Sequence, residues 1–227
     1  MKSALIPLPW LPFVFAVLAP LIADATEPLR NAEPLWRLAI ANVKKSESLT
    51  ASRVVTQITA LDGKETFLGS IESVDVVNWS QKSAVWVNVS KKTTGSPGFT
   101  MELNLHFEDA PGSILDDYDN WTAKGEAPID GESTAVWEGA KAGKETNTAL
   151  VYIDPRTALP KRVDFNLPIH SNFGTRSVQV TVIFGSDPKG AWVPIKAVID
   201  QAGRFMFWKR HLIITKLFQD WTERPAL

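Results

Sequence analysis

The sequence predicts a mainly β protein built on an antiparallel meander of about ten strands. Apolar and polar residues alternate with period two along most of the chain, as expected for strands with one buried and one solvated face. Short turn sequences separate these segments, and helical spacing is limited to two short stretches. Periodicity alone leaves open a closed barrel, a two-layer sandwich or one strongly curved sheet covered by helices.

Two segments have helical spacing. The first is predicted to begin with Pro34 in its first turn and to end around residues 46–48. Its apolar face is expected to contain Leu35, Leu38, Ala39, Asn42 and Val43. The second is predicted from Ser113 to about Lys124, with Ser113 and Asp116 resembling a capping pair. Four residues recur on its helical face: Ile114, Leu115, Tyr118 and Trp121.

The remaining segments are predicted to be strands. The clearest covers residues 99–107, where large apolar side chains alternate with polar ones. The other predicted strands cover about residues 52–61, 64–78, 83–91, 132–139, 147–154, 162–167, 178–184, 193–199 and 203–218. Turns are predicted at residues 62–63, 95–98, 142–144 and 187–190, where Gly, Asp, Pro or Lys cluster.

The N-terminus has the pattern of an export signal. Lys2 precedes an apolar run over residues 4–23, and Ala23, Asp24 and Ala25 form the small-x-small pattern that signal peptidase reads. Residues 1–25 are therefore expected to be a signal peptide cleaved near Ala25. The alternative is an uncleaved anchor, because the run approaches the roughly 20 residues that span a bilayer. Four prolines within the run disfavour a lipid-facing helix.

Composition narrows the class of protein. The 227 residues, 44% hydrophobic and 22% charged, suit one full-sized core, so residues 26–227 are expected to form a single domain. With a net charge of -1, the chain is not expected to attract the negatively charged backbone of nucleic acid. Since the chain has no cysteine, it has neither disulfides nor a lipidated N-terminal cysteine. A periplasmic location fits this better than a eukaryotic secretory one, where small domains tend to be rich in disulfides.

No catalytic centre, metal site or cofactor site is predicted. The chain has no G-x-S-x-G elbow, and its three histidines, His106, His170 and His211, occupy strand or loop positions expected to be polar. They lack the spacing of a zinc site. The acidic run at residues 116–120 lacks the glycine and distal glutamate of a calcium loop. An unrecognised hydrolase is the least favoured hypothesis.

Three stretches carry a resemblance to a known family. Residues 35–58 resemble an opening helix, a serine-containing turn and a first strand. Residues 149–163 are similar to a hairpin whose turn reads Asp-Pro-x-Thr-x-x-Pro, and residues 192–195, 203–205 and 215–218 resemble closing strands. In this layout the chain resembles the LolA-like group of outer-membrane lipoprotein-sorting proteins. The resemblance implies a half-barrel whose mouth is closed by helices, an apolar cavity for the acyl chains of a lipid or lipoprotein, and no cofactor or covalent chemistry.

With this resemblance, alternate strand residues become candidates for a ligand cavity on the concave face. They are Phe99, Met101, Leu103, Leu105, Phe107, Val163, Phe165, Val180, Val182, Phe184 and Phe207. The face of the second predicted helix becomes a candidate lid, formed by Ile114, Leu115, Tyr118 and Trp121. The aromatic side chains could also simply fill the core. The expected partner is a lipid or acylated protein; the alternative is an interaction domain that binds an envelope protein.

Overall fold

The computed structural model describes residues 32–80, 83–96, 111–116, 118–141, 144–167, 169–171, 174–205 and 208–225. In this part, helix α1 (Ala32–Lys44) precedes the strands and a 3₁₀ turn lies at Pro111–Ser113. The strands are β1 (Leu49–Asp62), β2 (Phe67–Ser80), β3 (Ser83–Gly95), β4 (Asp119–Ile129), β5 (Glu132–Lys141), β6 (Lys144–Ile153), β7 (Pro160–Asn166), β8 (Ile169–Ser171), β9 (Gly174–Ser186), β10 (Trp192–Phe205) and β11 (Trp208–Glu223).

These strands form one antiparallel sheet in the order β3-β2-β1-β11-β10-β9-β7-β6-β5-β4, with β8 paired to β9. Within the described residues, β3 and β4 each pair with a single neighbour, so the sheet is open rather than a closed barrel. This confirms the predicted mainly β fold and is consistent with a half-barrel. The first and last strands are neighbours, since Leu49 pairs with Glu223 and Asp62 with Arg210.

Aspartate side chains shape three hairpin turns. Asp62 accepts backbone hydrogen bonds from Lys64 and Thr66 at 2.7 and 2.9 Å, as predicted for the turn between β1 and β2. These bonds hold the pKa of Asp62 below its ordinary value. Asp187 and Asp154 likewise accept a backbone N–H two residues on, and they shape the β9–β10 and β6–β7 turns. The turns predicted at residues 62–63 and 187–190 are therefore confirmed.

The second predicted helix is wrong. Among the described residues of this segment, only the 3₁₀ turn at Pro111–Ser113 is helical, and the chain then enters strand β4 at Asp119. The four apolar residues still face the interior: Leu115 and Tyr118 belong to the core, while Ile114 and Trp121 pack against it. A turn followed by a strand brings these four residues to one side just as a helix would. The pairing of β4 with β5 outweighs the helical preference of the local sequence.

Two further details differ from expectation. The strand predicted over about residues 203–218 is found as β11 with different bounds: residues up to Phe205 complete β10, and β11 runs from Trp208 to Glu223. In α1, Leu38 is exposed, whereas Ala39 and Val43 are buried and Trp36 packs against the core. At about 100° per residue, Leu38 lies on the side of the helix opposite the buried stripe.

Several predictions concern residues outside the described ranges. These are the signal segment at 1–25, the strand at 99–107 with its five cavity candidates and His106, parts of the turns at 95–98 and 142–144, and Phe207. Among the described residues, no helix is long and apolar enough to cross a membrane.

Candidate functional site: the concave face of the sheet

One continuous row of apolar side chains crosses the sheet. Residues paired across antiparallel strands face the same side, so the strand registers identify which side chains share the inner face. From β2 to β5 this row consists of Ile71, Ile58, Ile214, Ile199, Val180, Phe165, Ala149 and Gly139. We call the side of the sheet that carries this row the concave face.

The structure brings together all the predicted cavity residues that it describes. Val163, Val180 and Val182 are 0% exposed, and Phe165 and Phe184 are also buried in the same core cluster. At the centre of the concave face these side chains are therefore covered by other parts of the protein and are not accessible to solvent. Whether they contact a ligand remains a prediction.

An aromatic cover lies over one end of this face. The ring centroid of Trp36 in α1 is 5.1 Å from that of Trp137 and 4.6 Å from that of Trp121. Tyr118 packs on Phe165 with centroids 5.6 Å apart, and the indole N–H of Trp121 donates to the Tyr118 carbonyl at 3.0 Å. The four residues predicted to form the lid therefore pack in or against the core, from a turn and a strand rather than from a helix. Their role as a lid stays a prediction.

Gly139 allows this cover to approach the sheet closely. A Cβ built on Gly139 would lie 2.7 Å from Cε2 of Trp121 and 2.8 Å from two further ring atoms. No carbon–carbon contact is stable at that distance, so the Trp121 ring rests on the backbone of β5 because the residue there is glycine. Sequence reasoning missed Gly139, Trp36 and Trp137.

The concave face also contains buried polar atoms. The indole N–H groups of Trp137 and Trp221 and the side-chain oxygen of Gln201 are buried with no hydrogen-bond partner among the described residues. Thr56 and Lys216, paired across β1 and β11, are buried as well. The burial of Lys216 could have been predicted from the sequence, because residues 214, 216 and 218 lie on the same side of a strand and Ile214 and Phe218 are apolar.

Burial decreases toward the β3 edge. On β3 the side chains from Val85 to Gly95 are exposed, except the half-buried Trp86. Three of the exposed side chains are valines, Val85, Val87 and Val89. Side chains on the inner side of β3, such as Lys91, are exposed too. The concave face is therefore buried over the central strands and solvent-accessible at β2 and β3.

His211 joins two carboxylates on the opposite side of the sheet. Its Nδ1 lies 2.7 Å from Glu65 and its Nε2 lies 2.9 Å from Asp200. Burial lowers the pKa of His211, but hydrogen bonding to Glu65 and the charge of Asp200 outweigh this and raise the pKa above 6.5. The folded protein therefore favours the protonated imidazole.

This arrangement predicts a pH-dependent stability. Because the folded pKa is raised, the stabilisation is complete below the ordinary histidine pKa and disappears as the pH rises through the folded value. We expect His211→Gln to lose more unfolding free energy at about pH 5.5 than at about pH 9. The difference should stay below about 1 kcal/mol, because Glu65 and Asp200 are 63% and 49% exposed. Urea unfolding at both pH values measures it, and an equal loss at both would contradict it.

The described residues contain no group of three or more histidine, aspartate or glutamate side chains able to hold a metal ion. His211 lies on the side of the sheet away from the apolar row, and His170 lies in the short strand β8.

Comparison with known proteins gives matches of fold only. No family model and no curated protein sequence matches the chain. Its structure is similar to a LolA superfamily protein from Nitrosomonas europaea, with a TM-score of 0.42 and 13% identity over 86% of this chain and 94% of that one. It is also similar to an outer membrane lipoprotein-sorting protein domain from Vibrio parahaemolyticus, with a TM-score of 0.36 and 12% identity over 84% and 93%.

A third match is the complex of MucA and MucB from Pseudomonas aeruginosa, with a TM-score of 0.25 and 9% identity over 85% of this chain and 100% of that one. At these identities the comparison concerns the fold and not the ligand.

Proposed function

We propose that this protein is a periplasmic, non-catalytic carrier that holds the acyl part of a lipid or acylated protein against its concave face. The observation that carries the proposal is the apolar row that continues across eight neighbouring strands. The export pattern of the N-terminus and the resemblance of the sequence to lipoprotein-sorting proteins support the location and the cargo.

The size of the sheet relative to its cover supports this function. The main path contains ten strands, whose spacings sum to about 43 Å along the curve. The single described α-helix has 13 residues and is therefore about 20 Å long and about 10 Å wide. The helix of the cover is therefore about half as long as the sheet is wide, so movement of the cover would expose apolar side chains of the concave face to a ligand.

Energetics favour reversible binding. Each methylene removed from water contributes about 0.8 kcal/mol, so a long acyl chain gives useful affinity without a covalent bond. Because the central side chains are fully buried, entry requires displacement of the cover formed by α1 and the segment from Leu115 to Trp121. Opening and closing of this cover would then control uptake and release.

A second candidate function is recognition of a protein partner at the sheet edge. It is favoured by β3, which pairs only with β2 among the described residues and exposes three valines. An unpaired strand edge offers backbone donors and acceptors to an incoming strand. This reading needs no bound lipid.

One experiment separates the two functions. Protein purified from its own envelope should carry lipid detectable by native mass spectrometry, and the delipidated protein should take up a fluorescent fatty acid. Val87→Lys should leave both results unchanged, because Val87 is exposed on the edge strand. Empty protein that takes up no fatty acid would refute carriage. A crosslinked protein partner that Val87→Lys abolishes would instead support edge recognition.

A further inference from the structure

A second row on the concave face changes from polar to apolar. It lies next to the apolar row described above, two residues along each strand, and is defined by the same strand registers. From β3 to β5 it consists of Lys91, Ser73, Thr56, Lys216, Ala197, Val182, Val163, Val151 and Trp137. Its polar half begins at the open edge of the sheet, and its apolar half crosses the closed centre.

Lys216 stands where the two halves meet. It is 7% exposed, and its neighbours on the inner side of β11 are Ile214 and Phe218. Burial of a cation among apolar side chains is costly unless a counter-charge or polar group compensates. Lys216 already has an interaction within the folded chain, so an incoming anion would replace that interaction.

The geometry points to an anionic amphiphile as the ligand: we propose that Lys216, with Thr56 beside it, binds the acidic head of a fatty acid or acyl phosphate whose tail runs along the apolar half of the row. This inference rests on the carrier function proposed above and narrows its ligand class. From Lys216 to Val151 the row crosses four strand spacings, or about 19 Å, enough for a long acyl chain.

Charges around this position suit an anion that enters from the β3 edge. Lys91 lies at the exposed start of the row and adds positive charge along the entry path. On this side of β2 the carboxylate of Asp75 accepts hydrogen bonds from Asn88 at 2.9 Å and from Ser73, a member of the row, at 3.5 Å. Asp75 pairs with Val54, in the row beyond Thr56, so it does not face Lys216 directly.

The test compares two ligands of equal chain length, dodecanoate and dodecanol, on the full mature chain. Lys216→Met keeps the length of the side chain and removes its charge. We expect it to weaken dodecanoate binding by about tenfold or more, as loss of a charge-assisted hydrogen bond does, and to leave dodecanol binding unchanged. Lys216→Arg should retain the preference for the acid.

Lys196→Met is the matched control, because Lys196 precedes Ala197 on β10 and faces the other side of the sheet. It should change neither affinity. If Lys216→Met weakens both ligands equally, or neither, the assignment of Lys216 is wrong although carriage stands. If the wild-type protein binds neither ligand, the carrier function itself fails. Thermal unfolding of each variant shows that it is folded.

Discussion

Phe165→Ala is expected to lower the free energy of unfolding by about 3–5 kcal/mol. Phe165 is 6% exposed and lies in the middle of the apolar row, between Val180 and Ala149. Its ring also supports Tyr118, so the truncation leaves a cavity directly beneath the aromatic cover. Chemical denaturation measures the loss as a lower midpoint at an unchanged slope.

Phe67→Ala is the matched control for this experiment. Phe67 begins β2 and is 54% exposed, so the same truncation should change stability by less than about 0.5 kcal/mol. If the two variants lose equal stability, Phe165 is not the core residue that the strand register indicates. A carrier also predicts that folded Phe165→Ala retains fatty-acid binding, because the added space can accept ligand.

Gly139→Ala is expected to cost about 1–3 kcal/mol, although alanine usually suits a strand better than glycine does. The added methyl group would overlap the Trp121 ring. That ring cannot move freely, since it packs on Trp36 and its N–H is bonded to the Tyr118 carbonyl. Unfolding free energies and a change in tryptophan fluorescence report the displacement of the cover.

A double-mutant cycle tests the cause of this effect. In a Trp121→Leu background the clash is gone, so Gly139→Ala should cost little or even stabilise the protein. The coupling energy between the two sites should then equal most of the single-mutant loss. A cost that persists in the Trp121→Leu background would show that Gly139 is required for its backbone and not for contact with the ring.

These two experiments bear directly on the proposed function. Phe165 belongs to the floor of the candidate site, whereas Gly139 sets how closely the cover rests on that floor. If the cover opens to admit a ligand, Gly139→Ala should speed fatty-acid uptake even as it lowers stability, because both changes weaken the closed state. Phe165→Ala should not speed uptake in this way.

Local pattern in the sequence determined most of the strands and much of the site. Alternation identified the buried side of β7 and β9, so Val163, Phe165, Val180, Val182 and Phe184 were predicted to face the interior, and they do. The turns at Asp62 and Asp187 were also marked, because an aspartate that accepts hydrogen bonds from the following backbone is a local device.

Only the tertiary structure decided the rest. The spacing of Ile114, Leu115, Tyr118 and Trp121 favours a helix, yet pairing with β5 makes a strand of the last part of that segment. The adjacency of β1 and β11 and the place of Lys216 beside Thr56 join residues far apart in the sequence. The contact of Trp121 with Gly139 depends on the register of β4 against β5. A period of two reflects which side of a strand is buried, but it carries no information on which strands are neighbours or on what covers them.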